Sequence, residues 1–384
     1  MKKRIISALI LNILGSITYA QSKLDFKNGI GYETNIFKNP SFYFDGNDTL
    51  ERWDMYQNGF FYYSQLRFST SYKTDRFYYK LKSSASTQQF FTNADAHSYR
   101  MRIEAPIRYK LGVNKYLRLV PQFATYRQNG VDQRQGAIRT PLSFSQMRIP
   151  LEYERRKSGY VRRLGAFYQY KDYPTADNNS LMYNAVGTYL NIEKEFSMGK
   201  NEYKVFKSFE THFRKYYDVN YTGPVEVIDD EGDGFDDDSY YNEQERDWFY
   251  VMAEYKLRKY TANGYVELPL RSFTRLDFST QKYGYTQHDF GIRMKYKNDK
   301  ISLSVHPKIA HRYHFKLKTN EGANLQYFYT GIDFRAEMGI TEKISLGAQF
   351  DLMKRFSNNQ RANTLAFREY FNYEALLTLR YRIF

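Results

Sequence analysis

Apolar and polar residues alternate along almost the whole chain from residue 21 onward. In the stretch 99–111, Tyr99, Met101, Ile103, Ala105, Ile107, Tyr109 and Leu111 share one parity, and Arg100, Arg102, Glu104, Arg108 and Lys110 take the other. A period of two places these sets on opposite faces of an extended strand. The stretches 266–278, 301–315, 328–338, 344–352 and 373–383 repeat the pattern. Each is longer than the roughly 5–6 residues of an average soluble strand.

The connectors alternate in length. Short ones fall near Thr74-Asp75, Val113-Asn114, Lys157-Ser158, Gly199-Lys200, Asn263-Gly264, Asn298-Asp299 and Thr341-Glu342, with the Asn, Asp and Gly that tight hairpins use for positive φ. Longer polar segments lie at 37–54, 91–98, 127–140, 171–181, 217–246, 280–288, 316–325 and 355–367. Seven turns and eight loops make fifteen connections and predict about sixteen strands, with both ends of the strand series on one side. A soluble sandwich would also use the alternation. Connectors this short, however, join neighbours rather than build Greek-key crossings. Closing the sheet removes both edges and satisfies every backbone group, as a membrane requires. The expected fold is therefore all-β: a transmembrane antiparallel up-and-down β-barrel of about 16 strands (14–18), its apolar parity facing lipid and its charged parity facing the lumen. Tyr32, Tyr72, Tyr99, Tyr255 and Tyr381 are candidates for the interfacial aromatic girdles.

The first twenty residues are different. Met1-Lys2-Lys3-Arg4 is basic, 5–17 is apolar but short for a span, and Thr18-Tyr19-Ala20 offers small residues for cleavage. The expected organisation is a signal peptide over 1–20 and one barrel domain over 21–384, exported to the outer membrane. Composition agrees. There is no cysteine, so no disulfide scaffold, thiolate metal site or thiol nucleophile. Tyr alone numbers 39 and Phe 30, too many rings for a disordered chain.

The signal peptide, the long alternating strands and the ending Leu379-Arg380-Tyr381-Arg382-Ile383-Phe384 resemble Gram-negative outer-membrane β-barrel proteins of the porin-like kind. The Tyr-rich basic style, the Gln21 start and the opening Gly31-Tyr32-Glu33-Thr34-Asn35-Ile36-Phe37 resemble such barrels of Bacteroidota. The resemblance implies that the barrel-assembly machinery reads the terminal Phe384, although Ile383, not Phe384, is in phase with Leu377, Leu379 and Tyr381. It also implies a porin-like or accessory barrel, with membrane lipid and other outer-membrane proteins as partners.

Lys and Arg total 57 against 42 Asp and Glu, a net charge of +15. On the inward parity bases outnumber acids, and Arg100, Arg102, Arg271, Arg275, Arg293 and Lys295 are the candidate lumen residues for attracting anions. A positive lumen with low-dielectric walls favours anions over cations. The expected function is thus a diffusion channel with a basic lumen; the alternative is a non-conducting accessory barrel of a larger complex for protein assembly, secretion or nutrient uptake. Inward rings at Phe61, Tyr63, Tyr78, Phe206, Tyr327 and Tyr329 fit either a lined pore or a filled one. Nucleic acid is not an expected partner, because the strict period of two explains the basic-aromatic interleaving. Nor is an enzyme expected. His97 and Ser98 point to opposite faces, His288-Asp289 falls in a loop without a nearby serine, and His311 has the opposite parity to His306 and His314.

One segment carries separate chemistry. Loop 217–246 holds the densest acidic run, and Asp229, Glu231, Asp233, Phe235 (through its carbonyl) and Asp237 occupy relative positions 1, 3, 5, 7 and 9 of a calcium loop, with Gly234 at the turn. Position 12 is Tyr240 rather than a bidentate Glu, so a solvated acidic tip competes with an extracellular Ca²⁺ site.

Overall fold

Antiparallel hydrogen bonding between sequence neighbours runs once round the molecule and closes on itself. In the computed structural model the described residues are 21–36, 42–45, 48–51, 58–128, 143–172, 182–216, 225–228, 238–241, 247–279, 283–319, 321–359 and 369–383. The expected signal peptide, Phe384 and the calcium candidates Asp229, Glu231, Asp233, Phe235 and Asp237 lie outside them.

The barrel has 16 strands. They are β1 (Gln21–Glu33), β2 (Gly59–Lys73), β3 (Phe77–Phe90), β4 (Ser98–Glu104 and Ile107–Gly112), β5 (Lys115–Leu119 and Gln122–Gln128), β6 (Phe144–Lys157), β7 (Tyr160–Asp172) and β8 (Tyr183–Met198). The second half is β9 (Asn201–Tyr216), β10 (Asp247–Thr261), β11 (Gly264–Asp277), β12 (Tyr285–Gly291 and Arg293–Lys297), β13 (Ile301–Lys318), β14 (Asn324–Gly339), β15 (Ile344–Ser357) and β16 (Tyr370–Arg382). β16 pairs with β1 from Asp25↔Arg382 to Glu33↔Glu374 and shuts the barrel. The interruptions in β4, β5 and β12 are local. Pro106 and Pro121 lack an N–H, yet their carbonyls accept from Lys80 (3.0 Å) and Ala105 (2.9 Å), while the Ile292 N–H donates to Pro307 (3.0 Å), so the ladder continues across each break.

All seven turns lie at one end, where the series starts and finishes, and the eight loops lie at the other. Asn114, Gly159 and Gly199 take φ of 58°, 67° and 60° at three of the turns, as the short connectors require. At two others, side chains do the work: Asn298 Oδ1 accepts from the N–H of Ile301 (2.6 Å) and Thr341 Oγ1 from that of Ile344 (3.0 Å). Short hairpins, Phe42–Asp45 with Asp48–Glu51 and Val225–Ile228 with Asp238–Tyr241, belong to the first and fifth loops.

Apolar residues cover the outside. Leu377, Val186, Leu164, Ile30 and Phe60 are each more than half exposed, and Met101, Leu268, Leu270 and Leu379 face outward with them. An exposed apolar surface of this extent does not suit water; the wall fits hydrocarbon. Two expectations need correction. Residues 285–288 are strand rather than loop, because Thr286 pairs with Thr274 and His288 with Ser272, so His288 faces outward and Asp289 inward. Tyr255 lies in mid-β10 rather than in a girdle.

Candidate functional site

The lumen is layered along the barrel axis. Nearest the turns, carboxylates sit among several bases. The buried Glu154 carboxylate is held by Arg156 (2.7 Å), Arg163 (2.8 Å) and Arg118 (3.3 Å), and Arg118 also donates to Glu152. Arg163 continues to Glu193 (2.5 Å), which Lys204 joins at 2.8 Å. Glu267 binds Arg258 (2.6 Å) and Arg293 (3.1 Å). Opposite charges on neighbouring strands stabilise such a wall.

Nearest the loops the chemistry changes to arginine stacked on aromatic rings. Arg214 lies between Tyr183 (4.2 Å) and Tyr250 (4.4 Å), and Arg275 between Trp248 (4.1 Å) and Tyr285 (4.4 Å). Arg312 stacks on the other side of Tyr285 at 4.3 Å, and Arg355 lies between Tyr327 (4.7 Å) and Tyr370 (4.8 Å). His212 stacks on Tyr250 at 4.5 Å. The planar guanidinium suits both faces of such a sandwich, and desolvated cation–π contacts reach about 2 kcal/mol. Arg275 is further fixed by donating from Nε (3.1 Å) and Nη2 (2.9 Å) to the Tyr283 carbonyl. Arg275 and Arg355 have no exposed surface.

Between the two layers lies a cavity of about 580 Å³ reaching from β10 to β1, lined among others by Lys256, Arg271, Arg293, Asp333, Asp351 and Glu374. The six sequence candidates therefore do not converge. Arg271, 3.9 Å from Asp289, and Arg293 line the cavity. Arg275 is fully buried in the arginine–aromatic layer, and so is not the solvent-reachable lumen charge its parity suggests. Arg100 stacks over Tyr126 at 5.3 Å and Arg102 lies 3.9 Å from Glu104, both on β4 across the barrel. Lys295 is exposed towards the turns. Among the described residues no three His, Asp or Glu side chains converge as metal ligands.

Parity reading did not single out Glu33 or Glu193. Both lie on the inward parity of their strands, Glu33 after Lys23, Asp25, Lys27, Gly29 and Gly31 in β1, and Glu193 after the apolar Tyr183, Ala185, Gly187 and Tyr189 in β8. The arginine–aromatic layer did carry a signal: Phe273-x-Arg275, Arg214-x-Tyr216 and Trp248-x-Tyr250 put a ring or base two residues apart on one face near the loop end.

No protein-family model matches the chain, and no curated protein matches it in sequence. Solved structures do match in shape. OccAB1 of Acinetobacter baumannii superposes with a TM-score of 0.52 at 8% identity, covering 95% of this chain and 97% of that one. OccAB3 of the same organism gives 0.50 at 10% identity, covering 94% and 99%. The fold is that of outer-membrane porin-like barrels. Such a fold places the turns in the periplasm and the loops outside the cell.

Proposed function

We propose that the chain is an outer-membrane diffusion channel, of Bacteroidota type, whose lumen favours anions. The observation that carries this reading is the loop-side layer, in which Arg214, Arg275, Arg312 and Arg355 stand on four different strands at one level of the lumen. Low-dielectric walls focus the field of such an arc, raising the local concentration of anions. Stacking fixes the guanidinium planes in place along the wall. Liposome swelling tests the proposal: vesicles carrying the protein should swell faster in gluconate than in a cationic solute of equal size. Equal rates, or faster entry of the cation, would remove the anion preference.

A second reading has its own observation. Arg275 and Arg355 have no exposed surface, as side chains filling a non-conducting accessory barrel within a larger outer-membrane complex would have none. Reconstituted protein that admits no solute, and that co-purifies stoichiometrically with other outer-membrane proteins, would favour it.

A further inference from the structure

Four carboxylates stand side by side in mid-lumen. Asp333↔Asp351, Asp351↔Glu374 and Glu374↔Glu33 are direct cross-strand partners on β14, β15, β16 and β1. Like charges directly opposite one another are destabilising, and this chain has more bases than acids with which to avoid them. One end of the row is compensated, because Asp333 takes His306 and Lys308 (both 3.3 Å) and Asp351 has Arg335 at 3.7 Å. At the other end Glu33 accepts from the amides of Gln88 (3.1 Å) and Asn372 (3.2 Å). Glu374, between them, makes no hydrogen bond or ion pair with any described residue.

The same cavity has a basic side. Lys256, Arg271 and Arg293 line it from β10, β11 and β12. Lys256 and Arg293 hold one carboxylate each, Glu254 at 2.7 Å and Glu267 at 3.1 Å, and carry more donors than that contact uses. A volume of about 580 Å³ lies in the range of small-molecule sites, roughly 300–1,000 Å³.

We propose that this cavity is a binding site for small zwitterions, solutes carrying both an ammonium and a carboxylate such as short free peptides, with the ammonium on Glu374 and Asp351 and the carboxylate towards Lys256 and Arg293. Strands lie about 4.8 Å apart, so the carboxylates form a line rather than converge on a point. A line suits an ammonium with three donors better than a bare metal ion. The inference rests on the channel reading for passage of the solute, and names the solute.

Isothermal titration of the detergent-solubilised full-length protein tests it with three peptides: triglycine, N-acetyltriglycine, which lacks the ammonium, and triglycine amide, which lacks the carboxylate. Triglycine should bind, and each capped form should bind at least tenfold more weakly. Glu374→Gln should weaken triglycine at least tenfold and abolish its advantage over N-acetyltriglycine. Asp351→Asn should act in the same direction and carries the test if Glu374→Gln loses its β-sheet spectrum. Equal binding of the three peptides, or no binding of triglycine, overturns the proposal. Calorimetry does not require flow through the pore. A conducting protein that ignores triglycine would remove this inference and leave the channel; a non-conducting protein that binds it would remove the channel and leave the site.

Discussion

Single residues hold the lumen in register by filling space left by glycine. A Cβ on Gly165 would lie 2.5 Å from the Tyr189 ring, whose hydroxyl donates to Glu152 at 2.7 Å. Gly165→Ala should therefore displace the ring and cost about 1–3 kcal/mol in unfolding from lipid vesicles. In a Tyr189→Ala background the same change should cost almost nothing, and an undiminished cost there would refute the contact as its cause. Glu154 is the stronger case, because its side chain is almost wholly buried among three arginines. Glu154→Ala should cost about 3–5 kcal/mol in the same assay, the range for breaking a buried charge arrangement from one side. A loss below 1 kcal/mol would mean that the network is a surface feature. Glu154 was legible in the sequence as an inward acid, but its burial was not, since parity assigns a face and says nothing of what covers it.

At the scale of the strand, alternation decides which side meets lipid. Leu270 on β11 is outward and far from both strand ends. Leu270→Arg should lower stability by about 2–4 kcal/mol, the penalty for a base near the bilayer midplane, while Leu270→Phe should leave it within about 0.5 kcal/mol, the usual range away from special features. Equal effects of the two would contradict a lipid-facing position. Strand number and the alternation of turns with loops were both readable from the chain, because period-two runs and Asn/Gly punctuation are local properties. The start of β12 was not. Its Tyr285, Gln287 and Asp289 place a ring and polar groups on the inward face, and Gly284 and His288 look like loop until Ser272↔His288 pairing is known. The same limit explains the missed rows: Glu33, Glu374, Asp351 and Asp333 are scattered in sequence, and only cross-strand register brings them together.

For the whole molecule, the inventory of inward bases and acids was legible in the sequence but their order along the axis was not, because that order follows from register and strand tilt. Arginine–aromatic stacking near the loops, a cavity with acidic and basic sides beneath it, and an ion-paired wall near the turns form three successive environments. In the proposed channel the layer nearest the loops is the first one a solute from outside the cell would meet, and its charges would set the sign of permeant ions. Planar-bilayer recording of the reversal potential under a potassium chloride gradient measures that sign directly. The wild type should conduct and reverse on the side of chloride, and replacing Arg214, Arg275, Arg312 and Arg355 by Gln together should move the reversal towards zero. A wild-type channel that reverses on the side of potassium, or a correctly folded barrel that never conducts, would contradict the account.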